Sequence, residues 1–146
     1  MFLGRYYHSL EAKGRLAIPA PFRRLLGTQP ILTRGLDGCL FLFSQAAWQK
    51  LITNLNTSPL AGADTRTLTR LFAHDALEVT YDPQGRALVS RELRDFAGLK
   101  KQVIIAGSVT WVEIWDQALY HQHLKNATRT IDHIAQRLSR ITNSHE

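Results

Sequence analysis

The chain has 146 residues, 45% of them hydrophobic, which suits one ordinary domain or two small, mutually dependent halves and excludes a disordered protein. Eighteen lysines and arginines against twelve acidic residues give a formal charge of +6, which favours a partner that carries phosphate, although many basic domains bind no nucleic acid. Cys39 is the only cysteine, so no intrachain disulfide can form and the sequence is compatible with a reducing compartment.

The N-terminus and the apolar runs predict neither secretion nor a membrane span. Arg5 introduces a charge before any long apolar signal region can form. The strongest apolar run, residues 39–43, is far shorter than the roughly 18 residues that a transmembrane helix needs. We therefore expect a cytoplasmic protein without a membrane partner.

The first predicted element is a pair of short strands joined by a basic turn, Glu11-Ala12-Lys13-Gly14-Arg15, which we call the first tip. Apolar and polar residues alternate on both sides of it, and Gly14 suits the positive φ that such a turn needs. Lys13 and Arg15 flank the glycine, where backbone bulk is least, so their charged ends can approach a polyanion closely. We expect Glu11 to hold Arg15 in a fixed pose.

A short helix and a second pair of strands are predicted next. The helix begins at Pro19 and Pro21, which are tolerated in a first turn, and stops at Gly27. Its residues Phe22, Leu25 and Leu26 are expected on one buried face. Strands at residues 31–33 and 39–43 follow, around a glycine-containing turn.

Two helices are predicted to link the halves. Ser44 is expected to cap the first, which ends by residues 57–59, and the second starts between residues 59 and 64 and ends near His74.

The second half, from about Leu77 to Trp115, repeats the first. Asp82-Pro83-Gln84-Gly85-Arg86, the second tip, follows the first tip at an offset of 71 residues. Arg23 and Gly27 match Arg94 and Gly98 at that offset; Gly35, Gln45 and Ala46 match Gly107, Gln117 and Ala118 after a one-residue slip. Because seven identities occur in register, a repeat explains the pattern better than the chance occurrence of two unrelated glycine turns.

A long amphipathic helix is predicted from Gln117 onward. Its apolar residues recur close to a 3.6-residue period, so we expect one helix, or two with a break near Asn126. The basic residues Lys125, Arg129, Arg137 and Arg140 are interpreted as a solvated face.

The doubled motif resembles the MraZ family of bacterial transcriptional regulators over about residues 1 to 125. The resemblance implies an α+β fold in which two pseudo-repeated ββαββ units of AbrB-like type form an intramolecular swapped-hairpin β-barrel, with linker and C-terminal helices. The expected limits are residues 1–55 for the first repeat, 56–76 for the helical linker, 77–124 for the second repeat and 125–146 for the C-terminal helix.

The same resemblance implies a sequence-specific DNA-binding protein, a transcriptional repressor or activator, that is cytoplasmic and associated with the nucleoid. It implies a ring-shaped homo-oligomer that binds short G-rich direct repeats in double-stranded DNA near its own promoter. The target that the resemblance implies is the gene cluster for division and cell wall synthesis. No cofactor is implied.

The family's acidic-x-x-x-Arg motif maps onto Glu11 with Arg15 and onto Asp82 with Arg86. The expected DNA-binding residues are Glu11, Lys13, Gly14, Arg15, Asp82, Gly85 and Arg86, with Arg23 and Arg94 as weaker candidates for phosphate contacts. The first tip departs from the family pattern with glutamate in place of aspartate. The second has Gln84 at the position of Lys13.

Other functions remain as alternatives. A ring-forming structural or RNA-binding protein would share the basic surface but show no promoter specificity. An enzyme is not expected, because Glu113 or Asp116 with His121 lacks a nucleophile or a phosphate-binding loop. A metal site is not expected, because His121 and His123 point apart on a helix. Cys39 is predicted to be buried, and Trp48, Trp111 and Trp115 are predicted to serve packing.

Overall fold

Two strand-rich halves precede a long C-terminal helix in the computed structural model, which describes residues 1–57 and 62–144. The first half contains β1 (Arg5–Ser9), β2 (Arg15–Ala17), α1 (Ala20–Leu26), β3 (Ile31–Arg34) and β4 (Leu40–Phe43). Helices α2 (Gln45–Asn56) and α3 (Ala63–His74) follow. The second half contains β5 (Leu77–Glu78), β6 (Arg86–Leu88), α4 (Arg91–Ala97), β7 (Gln102–Gly107) and β8 (Val112–Asp116), and α5 (Gln117–Asn143) ends the chain. The predicted order of strands and helices is confirmed in both halves.

The two halves share one antiparallel sheet, with the strand order β1-β7-β8-β4-β3-β5. The first strand of each half pairs with the third strand of the other half: β1 with β7, and β5 with β3. Strands β4 and β8 join the halves at the centre. The described strands form this open sheet and a small second sheet, and no closed barrel is found among them.

The small second sheet consists of β2 and β6, so the prediction that β1 and β2 pair with each other is wrong. Alternation in the sequence shows that both are strands, but it does not specify their partners. Leu16 lies opposite Ala87, and these two residues are equivalent at the 71-residue offset. The pairing therefore has a local two-fold relation. Its flanking bonds run from the Ile18 N–H to the Gly85 carbonyl at 3.1 Å and from the Val89 N–H to the Gly14 carbonyl at 2.8 Å.

The hydrophobic core draws on both halves. Its fully buried members include Leu16, Leu32, Leu42, Val89, Leu93, Ile105 and Ile114. Phe22 of α1 contacts Phe2 and Tyr6 edge-to-face, with ring centroids 5.7 and 5.2 Å apart. Leu25, expected beside Phe22 on the buried face, is instead 50% exposed. Because residues of both halves form one core, neither half would bury its apolar residues without the other.

The predicted end of α1 at Gly27 and the predicted start of α2 at Ser44 are confirmed. Helix α1 stops before Gly27, which has a φ of 73°, and the Ser44 Oγ accepts the Ala47 N–H at 3.1 Å at the start of α2. In the second half, the Ser90 Oγ accepts the Leu93 N–H at 3.3 Å. The predicted end of α2 includes residues 58 and 59, which lie outside the described residues.

Aromatic residues pack the linker helices onto the sheet. Phe41 of β4 lies 5.5 Å from Trp111 and 6.3 Å from Phe72 of α3, measured between ring centroids. Phe43 lies 5.9 Å from Trp48 of α2. Trp48 and Trp111 therefore serve packing, as predicted, and Trp115 is buried in the core at 5% exposure.

Helix α5 is continuous from Gln117 to Asn143, without a break near Asn126. It forms a compact unit of its own, separate from the unit that spans residues 1–116. The expected limit between residues 124 and 125 falls inside this helix, and the four domain limits stay a prediction. Within residues 1–57 and 62–144, no helix is long and apolar enough to cross a membrane.

The first testable prediction concerns the centre of the β2–β6 pairing. Leu16 is 0% exposed, so Leu16→Ala should lower the free energy of unfolding by about 2–5 kcal/mol. Leu25→Ala is the matched control: at 50% exposure it should cost no more than about 1 kcal/mol. Urea unfolding followed by circular dichroism measures both, and equal losses would contradict the central place of this pairing.

Candidate nucleic-acid interface

The two tips have the same backbone geometry. In the first, the Gly14 N–H donates to the Glu11 carbonyl at 2.8 Å and the Glu11 N–H donates to the Arg15 carbonyl at 2.9 Å. The equivalent bonds from Gly85 and Asp82 in the second tip measure 2.9 and 3.0 Å. The glycines have φ values of 84° and 76°, so both predicted turns with a positive-φ glycine are confirmed.

The β2–β6 pairing sets the tips side by side, and their charges interact across the repeats. The Arg86 Nη1 lies 2.7 Å from the Glu11 Oε2, and the Arg15 Nη1 lies 3.6 Å from the Asp82 Oδ2. The Arg86 Nε also donates to the Asp82 Oδ2 at 2.6 Å. The expectation that Glu11 holds Arg15 is therefore wrong, because antiparallel pairing places each arginine beside the acidic residue of the other tip. We call Glu11, Arg15, Asp82 and Arg86 the tip cluster.

The two arginines of the tip cluster have unequal freedom. The Arg86 side chain is 24% exposed and contacts both acidic residues, which raises its pKa, first through Asp82 and then through Glu11. The Arg15 side chain is 48% exposed and makes one longer contact, at 3.6 Å. Arg15 therefore offers more of its guanidinium to a ligand, whereas Arg86 holds the two tips together.

The two acidic residues differ because glutamate is one methylene longer. The Asp82 Oδ1 accepts the backbone N–H groups of Gln84 and Arg86, both at 2.9 Å, so its side chain closes its own turn. These bonds lower the pKa of Asp82, the largest cause being the Arg86 N–H. Glu11 reaches across to Arg86 instead. The glutamate in the first tip thus provides a bridge to the second.

Arg23 and Arg94, the weaker candidates for phosphate contacts, lie beneath the tips. A Cβ at Gly85 would collide with the Arg23 guanidinium, and a Cβ at Gly14 would lie 3.0 Å from the Arg94 Cζ. Each arginine thus supports the tip of the other repeat. The Arg23 Nη1 also donates to the Ile18 carbonyl. Glycine is needed at both tips for its φ and for the space that the arginine occupies.

A basic groove flanks each tip, and the repeat relates the two grooves. One, a cavity of about 570 Å³, is lined by Glu11, Arg94, Lys100 and Lys101 among others. The other, of about 380 Å³, is lined by Arg23, Arg24, Tyr81 and Asp82 among others. Sequence patterns did not single out Arg24, Lys100 or Lys101. Their proximity to the tips depends on how the helices and strands pack, which no local motif encodes.

Residues weighed for other chemistry have structural partners. The Glu113 carboxylate accepts the indole N–H of Trp111 at 3.1 Å and that of Trp115 at 3.0 Å. The Asp116 carboxylate accepts the Lys100 backbone N–H at 3.1 Å. Cys39 is fully buried, as predicted, and desolvation raises the pKa of its thiol.

The second prediction tests the space beneath Gly85. Gly85→Ala should destabilise the protein more than the control Gly38→Ala, because both positions have positive φ but only Gly85 faces a side chain. The backbone strain common to both is about 1–2 kcal/mol. Adding Arg23→Ala to Gly85→Ala should recover part of the excess, measured as a coupling by urea unfolding. The absence of any coupling would argue against the contact.

The third prediction concerns acid stability. Because the pKa of Asp82 is lowered in the folded protein, its contribution to stability is present above the ordinary value of 3.8 and is lost as the pH falls below it. Asp82→Asn should therefore lower stability near neutral pH and make stability less dependent on pH in the acid range. Denaturant unfolding of both proteins across that range measures it. Parallel pH profiles would disprove the assignment.

Comparison with known proteins supports the interpretation of the two tips as a repeat. The family model for the MraZ protein matches the chain twice, over residues 1–71 and 72–141. The transcriptional regulator MraZ of Acetivibrio thermocellus is 41% identical over 141 residues, covering 97% of this chain and 99% of that protein. That of Carboxydothermus hydrogenoformans is 42% identical over 138 residues, covering 94% and 96%. The resemblance inferred from the two tips is thereby confirmed, and the chain belongs to the MraZ family.

Proposed function

We propose that this protein is a sequence-specific transcriptional regulator that binds double-stranded DNA through the tip cluster. The observation that carries the proposal is the side-by-side placement of two arginine-bearing tips by the β2–β6 pairing. The formal charge of +6 and the relatives named as transcriptional regulators support it. The protein acts in the cytoplasm, in association with the nucleoid.

Arg15 is the main base-contacting residue in this proposal. A guanidinium can donate two hydrogen bonds to the O6 and N7 atoms of guanine, which suits a G-rich site. Arg15 has the more exposed side chain of the pair, while Glu11 and Asp82 fix Arg86 between the tips. The exposed Lys13 contacts a phosphate. Gly14 and Gly85 let the backbone of each tip approach the groove of the DNA.

The basic grooves extend the proposed interface beyond the tips. Lys100 and Lys101 are exposed beside the first tip, and Arg24 is exposed beside the second. Such side chains bind phosphates without regard to sequence and fix the orientation of the protein on the duplex. Arg23 and Arg94 serve mainly as supports for the tips, because their side chains lie against the glycines.

The proposal includes an architecture. The exchange of β1 and β5 between the halves supports a swapped-hairpin arrangement in which one chain supplies both AbrB-like units. Copies of the chain assemble into a ring, supported by exposed apolar residues such as Met1, Leu3 and Val109 at 75%, 60% and 52% exposure.

The proposed target is a set of short G-rich direct repeats upstream of the protein's own gene, in the cluster for division and cell wall synthesis. A footprint on that DNA tests the site directly. Comparing duplex DNA with RNA of the same sequence separates this function from that of an RNA-binding ring, because only a regulator that contacts bases should prefer one duplex sequence.

The fourth prediction separates base contacts from phosphate contacts. Arg15→Ala should reduce discrimination between matched and scrambled duplexes by about 1–3 kcal/mol per lost contact, and more than Arg86→Ala does. Lys13→Ala should weaken binding to both duplexes alike and make binding less dependent on salt. Gln84→Ala, the uncharged equivalent in the second tip, is the matched control. Titrations at two salt concentrations measure all four variants.

An Arg15→Ala variant that is folded by circular dichroism yet keeps its full specificity would exclude the first tip as the base-contacting element. Arg86→Ala needs the same folding check, because it leaves Glu11 and Asp82 without their shared partner.

The fifth prediction follows from the proposed ring. Each tip offers few charged side chains, so repeated contacts should dominate affinity, and linked binding events raise affinity by about 10²–10⁴ when the geometry fits. DNA with several repeats should therefore bind far more tightly than DNA with one, as measured by fluorescence anisotropy. Equal affinities, or a light-scattering mass near the 16.6 kDa of one chain, would oppose the ring.

A further inference from the structure

Helix α5 carries an apolar stripe with a stricter period than its general amphipathic pattern indicates. Its residues are separated alternately by three and four positions: Leu124, Ala127, Ile131, Ile134, Leu138 and Ile141. We call these six residues the α5 seam. Alternation of three and four gives a mean of 3.5 residues, the heptad period at which a helix wraps around a partner helix in a left-handed supercoil.

The α5 seam is exposed to solvent. Ile131, Leu138 and Ile141 are 59%, 60% and 56% exposed, and Leu124 and Ile134 are 38% and 36% exposed. Helix α5 forms a unit by itself, and its residues 128–143 are all exposed. A row of aliphatic side chains that extends through three heptads is costly to leave in water, so a partner that covers it gains the hydrophobic effect.

The positions beside the α5 seam are suited to burial. Thr128, Thr130 and Thr142 donate their hydroxyls to carbonyls of their own helix, at 2.8, 3.3 and 2.9 Å. These hydroxyls need no other partner, so their burial carries little desolvation cost. Ala135 occupies another flanking position.

Charge is almost absent from the flanks of the α5 seam. Only Arg137 is charged at a flanking position, while Lys125, Arg129, Asp132 and Arg140 occupy heptad positions farther from the seam. Flanking charges normally specify which different helix a coiled coil accepts and exclude the rest. With almost no such charges, the flanks of the α5 seam neither select a different helix nor repel an identical one.

We infer that α5 forms a coiled coil with α5 of a second copy of this chain. The heptad period requires a helix of the same period as partner, and every copy supplies one of matching length. The nearly uncharged flanks allow two identical seams to meet. This association is independent of DNA binding and does not rest on the proposed function.

A site-directed crosslink tests the inference in the full-length chain. Ile134→Cys places a thiol near the middle of the α5 seam, so equivalent residues lie close in parallel helices and in antiparallel helices whose seams are aligned. Coiled-coil axes lie about 8–10 Å apart, within reach of a short bis-maleimide. Cys39 is fully buried and stays in every variant, so the new thiol is the accessible one. Gln136→Cys, on the opposite face of α5, is the matched control.

We expect a covalent dimer on a denaturing gel from Ile134→Cys and little from Gln136→Cys. Adding Leu138→Lys to Ile134→Cys should abolish the dimer, because it places a charge in the seam, whereas adding Gln136→Lys should not. Circular dichroism confirms that helix content is retained, as expected for residues that are already exposed. Equal crosslinking of the two cysteine variants, no dimer from Ile134→Cys, or a dimer that requires phospholipid vesicles would overturn the inference.

Discussion

The antiparallel pairing of β2 with β6 is the constraint on which the rest of the site depends. Its register is centred on Leu16 and Ala87, which occupy equivalent positions in the two repeats. Each tip closes its own turn but takes three further supports from the other repeat: an acidic partner for its arginine, an arginine beneath its glycine, and a flanking backbone hydrogen bond. A shift of one residue in this register would break all of these contacts together and turn Leu16 out of the core.

The tips are held by features that contribute unequally to stability. Burial of Leu16 and its neighbours supplies the hydrophobic free energy that keeps the two halves together. The exposed ion pairs add little, because water and salt screen them. Their role is to orient the arginine side chains: Arg86 lies between Glu11 and Asp82, and Arg15 stays at the surface. The core thus provides stability, and the charges determine which side chain is presented.

Local features of the structure could be predicted from the sequence, and non-local pairings could not. Gly14, Gly85, Gly27 and Ser44 were predictable because each acts on the backbone within a few residues of itself. The pairing of β1 with β7 was not, since alternation shows which face of a strand is buried and not which strand lies beside it. The contact of Glu11 with Arg86 spans 75 residues and follows only from the pairing of β2 with β6, which is equally non-local.

The unequal tips have a consequence for symmetry. A dimer of identical subunits has a true two-fold axis and matches a palindrome, because each half-site is contacted in the same way. Here the axis through Leu16 and Ala87 relates Glu11 to Asp82 and Lys13 to Gln84, so turning the molecule around that axis exchanges different side chains. Each subunit consequently has a polarity. A nucleic acid bound across both tips would meet the protein in one preferred direction, and successive copies in the proposed ring would match successive sites that point the same way.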